Sequence, residues 1–434
     1  MMIRRKDNGQ QDRWEKLQSY FTCPVKEISY PMTTQYILTG WLIDGGGGPP
    51  RKSAMLKIDD GIISKVSDFD PHNLPEPAAL IDLSFATIVP PFIDCHVHLA
   101  VSGTTDPEAR KQQAEADFEE VRPIIRRHIL YHFRHGVLAV RDAGDRGGYA
   151  LRYADQPVAA PEEPLIVKAA GMAWHQQGRY GKMIGRTPAE GETLVEAFSR
   201  QTVQGDLVKL VNSGPNSLHE FARETQPQYS VAEMQQIVAM AAKTGKKVMV
   251  HANGRIPVRL ALEAGCHSIE HGYFMGRENL QLMAEKGTFL VPTLYAMKAL
   301  SELADTAGAR KIAARNLAHQ LEQVALAREI GVKIALGTDS GSPGVLHGES
   351  VAEELKLFVK AGYSLAGAIH CATAAGAELL GVDAGLLAAG RPAHFLVARG
   401  TPAQLPRKFS YLEAIYLNGK PSPFYRKNPI RGVF

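Results

Sequence analysis

The sequence lacks the features that would tie it to a membrane or to an oxidising compartment. Its 434 residues include only four cysteines, Cys23, Cys95, Cys266 and Cys371, and none of them forms a CxxC pair. This cysteine usage predicts a reduced, cytoplasmic chain rather than a disulfide framework. No window approaches the ~20 apolar residues of a membrane span, and residues 1–20 have no apolar run typical of a secretory signal. We therefore expect no membrane partner.

Strong net charge is also missing. The formal net charge is +4, and the only dense basic stretch is the short Arg4-Arg5-Lys6, so we expect no nucleic-acid partner. The hydrophobic content of 45% and the charged content of 22% are ordinary for a globular protein. A chain of this size can bury one large core and carry a smaller second domain. Composition leaves the oligomeric state open, including a homo-oligomer.

Local texture divides the chain into three parts. Residues 1–33 are polar and interrupted by prolines, with a faintly helical stretch at 14–21, and we expect an N-terminal extension with partial order. Residues 34–88 and 378–434 hold short β-like runs separated by turns, so we expect both chain ends to pair in one small β-sandwich domain. The candidate strands there are residues 36–43, 53–58, 61–66, 80–83, 394–398 and 414–418.

The remaining part, residues 89–377, alternates apolar runs with amphipathic segments. The candidate strands are residues 88–93, 137–141, 165–169, 207–211, 247–250, 268–269, 289–291 and 333–336. The candidate helices include residues 106–135, 231–244, 256–264 and 309–330. Eight short buried strands alternating with helices predict an α/β fold, a (β/α)₈ TIM barrel flanked by the β-sandwich. A doubly wound open sheet is the alternative, but no glycine-rich dinucleotide turn follows the first strand.

Two histidines end the first apolar run of this part. Residues 89–99 read VPPFIDCHVHL. Because alternate side chains of a β-strand point to the same side, His96 and His98 would emerge together, about 7 Å apart along the chain. Two neutral imidazoles on a rigid strand suit zinc if other strands supply further ligands. A lone His-x-His pair is equally compatible with a solvated strand edge. Whether this pair binds a metal ion therefore depends on the residues that the later strands supply.

The later strands do supply polar side chains. The residues within or at the ends of predicted strands are His96, His98, Lys209, His251, His271 and Asp339. In a TIM barrel the active site lies at the C-terminal ends of the strands, so these side chains would meet at one rim. The first two histidines and Asp339 can hold one divalent ion, and His251 with His271 can hold a second. A buried, neutral Lys209 amine can add carbon dioxide, and the two carbamate oxygens would bridge the ions.

Such a centre predicts a hydrolytic mechanism. Two cations lower the pKa of bound water, so a bridging hydroxide would be the nucleophile at neutral pH. Asp339 would act as the general base that takes the proton and as the acid that delivers it to the leaving group. Each residue alone has a plainer interpretation, such as a hydrogen-bonding histidine or a Lys209–Asp206 pair. Their joint placement on different strands favours the metal centre.

With these six candidate ligands, the chain resembles the amidohydrolase superfamily of metal-dependent hydrolases. Residues 90–98 are similar to that family's first-strand motif, with Pro91 where glycine is usual, and residues 337–339 (GTD) match its eighth strand. Residues 372–376 and 390–393 look like the end of the barrel and the return to the sandwich. The resemblance covers roughly residues 35–420. It implies two divalent ions, for which zinc is the expected metal. It also implies N6-carboxylysine at Lys209 among the six ligands named above.

Within the superfamily, the chain is most similar to the prolidase-like, or Xaa-Pro dipeptidase, group. The matching segments are residues 140–144, 209–214, 228–230, 268–272 and 291–293. This resemblance implies a small-molecule substrate, a dipeptide or an N-acyl amino acid, whose amide or peptide C–N bond is cleaved. After the third strand the group has a Gly-Gly-His loop, whereas this chain reads WHQQGRYG at 174–181. That loop carries Arg179, and Lys182 and Arg186 follow; they could bind a substrate carboxylate or form a solvated basic loop.

Other residues near strand ends are candidate substrate contacts. The full set is Arg179, Asn253, Tyr273, Tyr295 and His347. Three alternative functions stay open. A cyclic-amide hydrolase of the imidazolonepropionase kind usually lacks the bridging lysine. A deaminase is disfavoured because Ala252-Asn253-Gly254 follows His251 where a glutamate proton shuttle is typical. A non-catalytic metal-binding barrel would have lost a ligand, and the sequence retains all six.

Overall fold

The computed structural model describes residues 34–73, 75–76, 79–156, 165–200, 205–425 and 427. The N-terminal extension and the helical stretch expected at 14–21 lie outside the described residues. Within the described part, helices and strands are mixed, which confirms the α/β content. None of the helices described there is long and apolar enough to cross a membrane.

The strands occupy both chain ends and the region between them. They are β1 Thr34–Leu42, β2 Arg51–Asp59, β3 Ile62–Asp68, β4 Leu80–Val89, β5 Phe92–Val97, β6 Val137–Asp142, β7 Ile166–Ala169, β8 Ala173–Trp174, β9 Gly185–Arg186, β10 Leu207–Val211, β11 Lys247–Ala252, β12 Ser268–His271, β13 Phe289–Val291, β14 Phe395–Arg399, β15 Ala414–Leu417 and β16 Lys420–Pro421.

The helices lie between β5 and β14. They are α1 Pro107–Glu115, α2 Phe118–Arg134, α3 Tyr149–Ala154, α4 Leu194–Ser199, α5 Val231–Ala242, α6 Arg255–Glu263, α7 Arg277–Lys286, α8 Leu294–Leu303, α9 Ala307–Ile330, α10 Ser350–Lys360, α11 Leu365–Cys371 and α12 Ala374–Leu380. Short 3₁₀ turns follow at Pro402–Gln404 and Arg407–Tyr411.

The two chain ends share one seven-stranded sheet. Its strand order is β16-β15-β14-β4-β1-β2-β3, and the ends meet where Leu396 of β14 pairs with Val89 of β4. The β2–β3 hairpin turns through Asp60 and Gly61, whose φ angles of 50° and 83° are those of a primed two-residue turn. The pairing of the two ends agrees with the prediction. The predicted sandwich is not confirmed, because the described residues place both ends in a single sheet.

Two parallel sheets lie between these ends. One has the order β5-β6-β7, and the other has the order β13-β12-β11-β10-β8-β9. The amide of Asp206 donates to Ala169 O at 2.8 Å, which connects the two sheets on one side. On the other side, Leu290 N donates to Lys333 O and Cys95 N donates to Leu336 O, both at 2.9 Å. The sheets are therefore joined by hydrogen bonds at both edges.

The structure corrects three predicted elements. The eighth strand, expected at 333–336, is present only as an isolated bridge between Leu290 and Ile334. The first strand, expected at 88–93, is divided between β4 and β5, because Pro90 and Pro91 have no amide hydrogen to continue a ladder. The helix expected at 106–135 is two helices, α1 and α2, and a capping box of Asp117 and Glu120 starts the second.

Strand direction brings the candidate site residues to one edge of the sheets. Val211 of β10 pairs with His251 of β11, and Ala252 pairs with His271 of β12. These strands are parallel, so their C-terminal ends lie side by side. The strands are buried along nearly their whole length, and the helices packed around them contribute to one large apolar core. A rigid edge of this kind can hold several side chains in fixed positions.

Candidate metal centre

Three of the predicted ligands converge on one point. Donor atoms of His96, His98 and Asp339 all lie within 4.8 Å of one another. The Nε2 atoms of the two histidines are 3.5 and 3.4 Å from the same carboxylate oxygen, Asp339 Oδ1. Two imidazole nitrogens and a carboxylate oxygen are the donors that zinc takes in proteins.

The second ring nitrogen of each of these histidines is held by a hydrogen-bond acceptor. His96 Nδ1 lies 2.7 Å from Glu270 Oε2, and His98 Nδ1 lies 2.8 Å from Gly144 O. A carboxylate and a carbonyl only accept hydrogen bonds, so each Nδ1 carries the proton. Each Nε2 is then an unprotonated lone pair directed toward Asp339, which is the tautomer that binds a metal ion.

His251 and His271 extend this group of rings. The centroid of the His271 ring is 4.9 Å from that of His96 and 4.6 Å from that of His251. His271 Nδ1 lies 2.7 Å from Thr293 Oγ1, and His251 Nε2 lies 3.1 Å from Gly214 O. One nitrogen of each ring thus has a hydrogen-bond partner outside the cluster. The other nitrogen is free of such partners within the described residues and could bind a metal ion.

Lys209 is buried in the middle of β10, where it pairs in register with Met249. Burial lowers the pKa of Lys209 to about 8, although the nearby carboxylate of Glu270 opposes the change. A substantial fraction of the amine is therefore neutral at slightly alkaline pH, which is the form that reacts with carbon dioxide.

The protonation states of the buried histidines suit metal binding. Burial lowers the pKa of His96 to about 4 and that of His271 to about 3, and it lowers the pKa of His251 well below the usual value. His98 differs: burial acts in the same direction, but contact with Asp339 outweighs it and raises the pKa of His98.

The carboxylate of Asp339 completes this donor set. Burial alone would raise the pKa of Asp339, but contact with His98 and the neighbouring His96 and His271 hold it well below its usual range. Asp339 is therefore ionised at neutral pH. An ionised carboxylate beside buried, mostly neutral imidazoles is a donor set that fits divalent cations.

A buried charge network behind His96 was not predicted from the sequence. Arg141 Nη2 donates to both carboxylate oxygens of Glu270, at 2.9 and 3.0 Å, and Arg141 Nη1 donates to Ser268 Oγ at 2.9 Å. Glu270 therefore connects a permanent cation to His96 Nδ1. The signal was available, because Arg141 ends one predicted buried strand, Glu270 directly follows another, and opposite charges at such positions are rarely buried unpaired.

The backbone at two of the predicted ligands is strained. Asp339 and His271 have φ angles of 61° and 67°, in the left-handed region that side chains other than glycine seldom adopt. Asp94 holds the turn before Asp339 by accepting hydrogen bonds from Thr338 N at 2.9 Å and Thr338 Oγ1 at 2.6 Å. The amide of Gln320 donates to His271 O at 2.5 Å. Neighbouring side chains therefore fix both strained positions.

Two candidate substrate contacts lie beside the histidine cluster. The Oδ1 atom of Asn253 accepts a hydrogen bond from Tyr273 N at 3.0 Å, and Asn253 N donates to Ser213 Oγ at 2.9 Å. The Tyr273 hydroxyl is buried and has no hydrogen-bond partner within the described residues. Tyr180, which the sequence analysis did not single out, packs on His251 with ring centroids 5.1 Å apart.

The other candidate contacts have different surroundings. His347 is buried behind the cluster, where its Nδ1 lies 3.1 Å from Ser340 Oγ and its Nε2 lies 2.8 Å from Val101 O. Tyr295 lies in the first turn of α8, and its backbone amide donates to Glu354. The guanidinium of Arg179 donates to Gln226 O at 2.7 Å.

Comparison with known proteins adds independent information. The model of the amidohydrolase family matches residues 87–428. The chain is 30% identical over 356 residues to ochratoxinase from Aspergillus niger, which covers 71% of this chain and 69% of that protein. It is 23% identical over 377 residues to imidazolonepropionase from Salinispora arenicola, which covers 81% of this chain and 88% of that protein.

A solved structure gives a similar result. The crystal structure of a Xaa-Pro dipeptidase with bound methionine in its active site superposes with a TM-score of 0.74 at 25% identity. The superposition covers 90% of this chain and 99% of that chain. The likeness thus extends over almost all of the solved protein and over most of the residues described above.

Proposed function

Because the chain belongs to the amidohydrolase family and is a hydrolase acting on carbon–nitrogen bonds, we propose that it cleaves the amide or peptide C–N bond of a dipeptide or an N-acyl amino acid. The observation that carries this proposal is the convergence of His96 Nε2 and His98 Nε2 on one oxygen of Asp339. This arrangement suits metal-assisted hydrolysis, and the similarity to a Xaa-Pro dipeptidase structure supports the substrate class.

The proposed centre holds two divalent ions, zinc in the first instance. The proposed ligands are His96, His98, Lys209, His251, His271 and Asp339. Asp339 and the first two histidines would hold one ion, and the later two histidines would hold the other. Lys209, as N6-carboxylysine, would lie between them. Its burial and its pKa of about 8 support this assignment, since a neutral amine is what carboxylation requires.

Bound divalent cations would supply a water activated at neutral pH and a polarised scissile carbonyl. The residues of the chain would do the rest. Asp339 Oδ1 faces the two histidine Nε2 atoms, and Ser342 Oγ donates to Asp339 Oδ2 at 2.9 Å. This contact orients the carboxylate, which would accept the proton of the attacking water and pass it to the leaving nitrogen as general base and then general acid.

The candidate substrate contacts are proposed on the basis of their positions in the fold. The buried Tyr273 hydroxyl lacks a partner within the described residues, so it is a candidate to donate to the scissile carbonyl. Asn253 would hold Tyr273 in place through the backbone hydrogen bond between them. Arg179 and His347 are further candidates, and each would have to exchange or add to a side-chain hydrogen bond that it already makes. Tyr295 is also a candidate, since the hydrogen bond to Glu354 is made by its backbone amide.

A cyclic-amide hydrolase is the second candidate function. The similarity to imidazolonepropionase favours it, and so does the three-residue donor group, which alone could hold a single ion. The buried Lys209 opposes it, because a centre with one ion has no use for a bridging residue. We therefore rank hydrolysis of a linear amide first.

We also propose a division of the chain that places this centre. The two parallel sheets and the segment 333–340 would form a closed (β/α)₈ barrel within residues 89–377, and residues 34–88 with 378–434 would form the flanking β domain. The hydrogen bonds that join the parallel sheets at both edges support closure. The centre would then lie at the C-terminal rim of the barrel, where TIM-barrel enzymes carry their active sites.

A panel of matched linear and cyclic substrates tests the function. Zinc-loaded protein is incubated with Xaa-Pro and other dipeptides, with N-acyl amino acids, and with imidazolones and hydantoins, and product formation is followed by chromatography. We expect hydrolysis of at least one class of linear substrate, and a metal chelator should stop this hydrolysis. Hydrolysis of cyclic amides alone would replace the proposal with the second candidate. Absence of hydrolysis across the whole panel would overturn both.

A further inference from the structure

A cavity is lined mainly by residues that follow β8. It has a volume of about 950 Å³ and is lined by part of the segment between Trp174 and Glu192, by Arg146, and by Ala197 and Arg200 near the end of α4. None of the six proposed metal ligands is among its lining residues. A cavity of this volume is large enough for a small organic molecule.

The lining of this cavity is strongly basic. Five cationic side chains contribute to it, namely Arg146, Arg179, Lys182, Arg186 and Arg200. Only two acidic side chains, Glu190 and Glu192, oppose them. Glu192 is already paired with Arg200. Within the described residues, the side chains of Arg146 and Lys182 have no hydrogen bond or ion pair. The cavity thus has an excess of positive charge that a bound anion would offset.

Arg186 is positioned to meet such an anion. Its guanidinium stacks 4.3 Å from the centroid of the Trp174 ring, and its backbone is fixed by the β8–β9 pairing. The side chain is therefore held in place before any ligand arrives. Its Nε atom is shielded from the cavity, so an anion would reach Arg186 through its terminal Nη groups.

We propose that this cavity binds a small organic dianion, a dicarboxylate or a phosphate monoester, with Arg186 as the principal contact and separately from the metal centre. A carboxylate or a phosphate group presents two oxygens that can accept the paired N–H groups of a guanidinium. Trp174 would hold the Arg186 guanidinium in place from behind. The inference can be tested apart from the hydrolytic function, because it concerns binding at residues that are not proposed metal ligands, although Arg179 is also a candidate substrate contact.

Trp174 makes the proposal directly measurable. The intact protein is titrated with succinate and, in a separate series, with inorganic phosphate, and tryptophan fluorescence and heat of binding are recorded. We expect saturable binding of at least one probe. Tighter binding of succinate would indicate a dicarboxylate ligand, and tighter binding of phosphate would indicate a phosphate monoester. The fluorescence change should disappear in Trp174→Phe while calorimetry still detects binding. Lack of saturable binding of both probes would overturn the proposal.

Charge variants assign the binding to this cavity. Arg186→Gln should weaken binding by about tenfold or more, since it removes a charge-assisted contact, and Arg186→Lys should fall between it and the unmodified protein. Arg399→Gln is the matched control, because Arg399 also stacks on an aromatic ring, 4.6 Å from that of Phe85, and lies in the seven-stranded sheet. Equal affinity in folded Arg186→Gln and the unmodified protein would contradict the assignment.

Chelation separates this cavity from the metal centre. Protein stripped of metal with EDTA and then freed of the chelator should bind the probe with unchanged affinity, because none of the lining residues is a proposed ligand. Loss of probe binding on removal of metal would place the anion at the metal centre and overturn the proposal.

Discussion

His96 Nδ1 lies 2.7 Å from Glu270 Oε2, and Glu270 in turn receives two hydrogen bonds from Arg141. All three side chains are buried. Burial would raise the pKa of Glu270, but Arg141 and His96 hold it well below its usual range, so the carboxylate stays ionised. This chain of contacts fixes which nitrogen of His96 carries the proton, and it connects the proposed metal centre to a charge pair formed by one residue of β6 and one of β12.

Replacing Glu270 should therefore weaken metal binding. Glu270→Gln keeps the shape of the side chain but removes the charge that orients His96 and neutralises Arg141. We expect a loss of 10- to 100-fold in zinc affinity, and a loss of stability of up to about 3–5 kcal/mol because Arg141 stays buried without its partner. Competition with a chromogenic chelator measures the first effect, and denaturant unfolding measures the second.

Glu378→Gln is the matched control for Glu270. Glu378 pairs with Lys333, but both side chains are about half exposed. An exposed pair contributes at most about 1 kcal/mol, so this variant should keep both its zinc affinity and its stability. If Glu270→Gln behaved as this control does, the Glu270 network would have no role in the centre.

Lys209→Ala should lose one of the two metal ions and most of the turnover, because the proposed bridging ligand is gone. Short carboxylic acids such as acetate should restore part of the rate by supplying the missing oxygens. Metal content per chain, measured by mass spectrometry, and the hydrolysis rate are the readouts. Lys360→Ala, at an exposed position of α10, should change neither. A Lys209→Ala protein with two metal ions and full rate would rule out the bridging role.

Asp339→Asn tests the proton-transfer step. The amide oxygen can still serve as a ligand, but the group can no longer accept a proton, so we expect kcat to fall by about 10²- to 10⁴-fold in metal-saturated protein. Asp305→Asn, at an exposed position before α9, provides the control and should retain the unmodified rate. Retention of kcat within a factor of two in Asp339→Asn would assign the proton transfer to another group.

Metal affinity should depend on pH in a specific direction. The pKa of His98 is raised by contact with Asp339, so as pH falls through that pKa a proton competes with the metal ion for His98. Zinc affinity should fall by about tenfold per pH unit below it. His96 and His271, with pKa values of about 4 and 3, should make the decline steeper only at still lower pH. A flat affinity profile between pH 8 and pH 5 would contradict this account.

His72→Gln provides the control for the pH experiment. His72 is exposed in the loop after β3, away from the cluster. Its replacement should leave the pH dependence of zinc affinity unchanged. A shift of the profile in this variant would show that the measurement reports overall charge rather than the centre.

Sequence periodicity predicted much of the fold because buried parallel strands are continuous apolar runs. β6, β10 and β13 lie within a residue of their predicted bounds. The segment 333–336 was harder, since its hydrogen bonds go to both neighbouring strands without forming a regular ladder. The sheet shared by the chain ends was predicted as a pairing, but periodicity alone does not tell one sheet from two.

The candidate site was predictable to the extent that side chains at strand ends must share an edge. His96, His98 and Asp339 converge as that rule requires. The role of Glu270 was not predicted, because its partners Arg141 and His96 are far from it in sequence and only the fold brings them together. The basic loop that contains Arg186 was recognised in the sequence as a possible carboxylate contact, but its cavity could not be predicted, since a basic loop has the same sequence whether it is solvated or encloses a space.

Stepwise reconstitution with zinc tests the central claim most directly. Metal-free protein, prepared with bicarbonate present so that Lys209 can be carboxylated, is titrated with zinc while hydrolysis of the best linear substrate and bound metal are measured in the same samples. The account predicts no hydrolysis without metal and a rate that rises until two zinc ions are bound per chain. Hydrolysis that persists in metal-free protein, or that reaches its maximum at one bound ion, would contradict it.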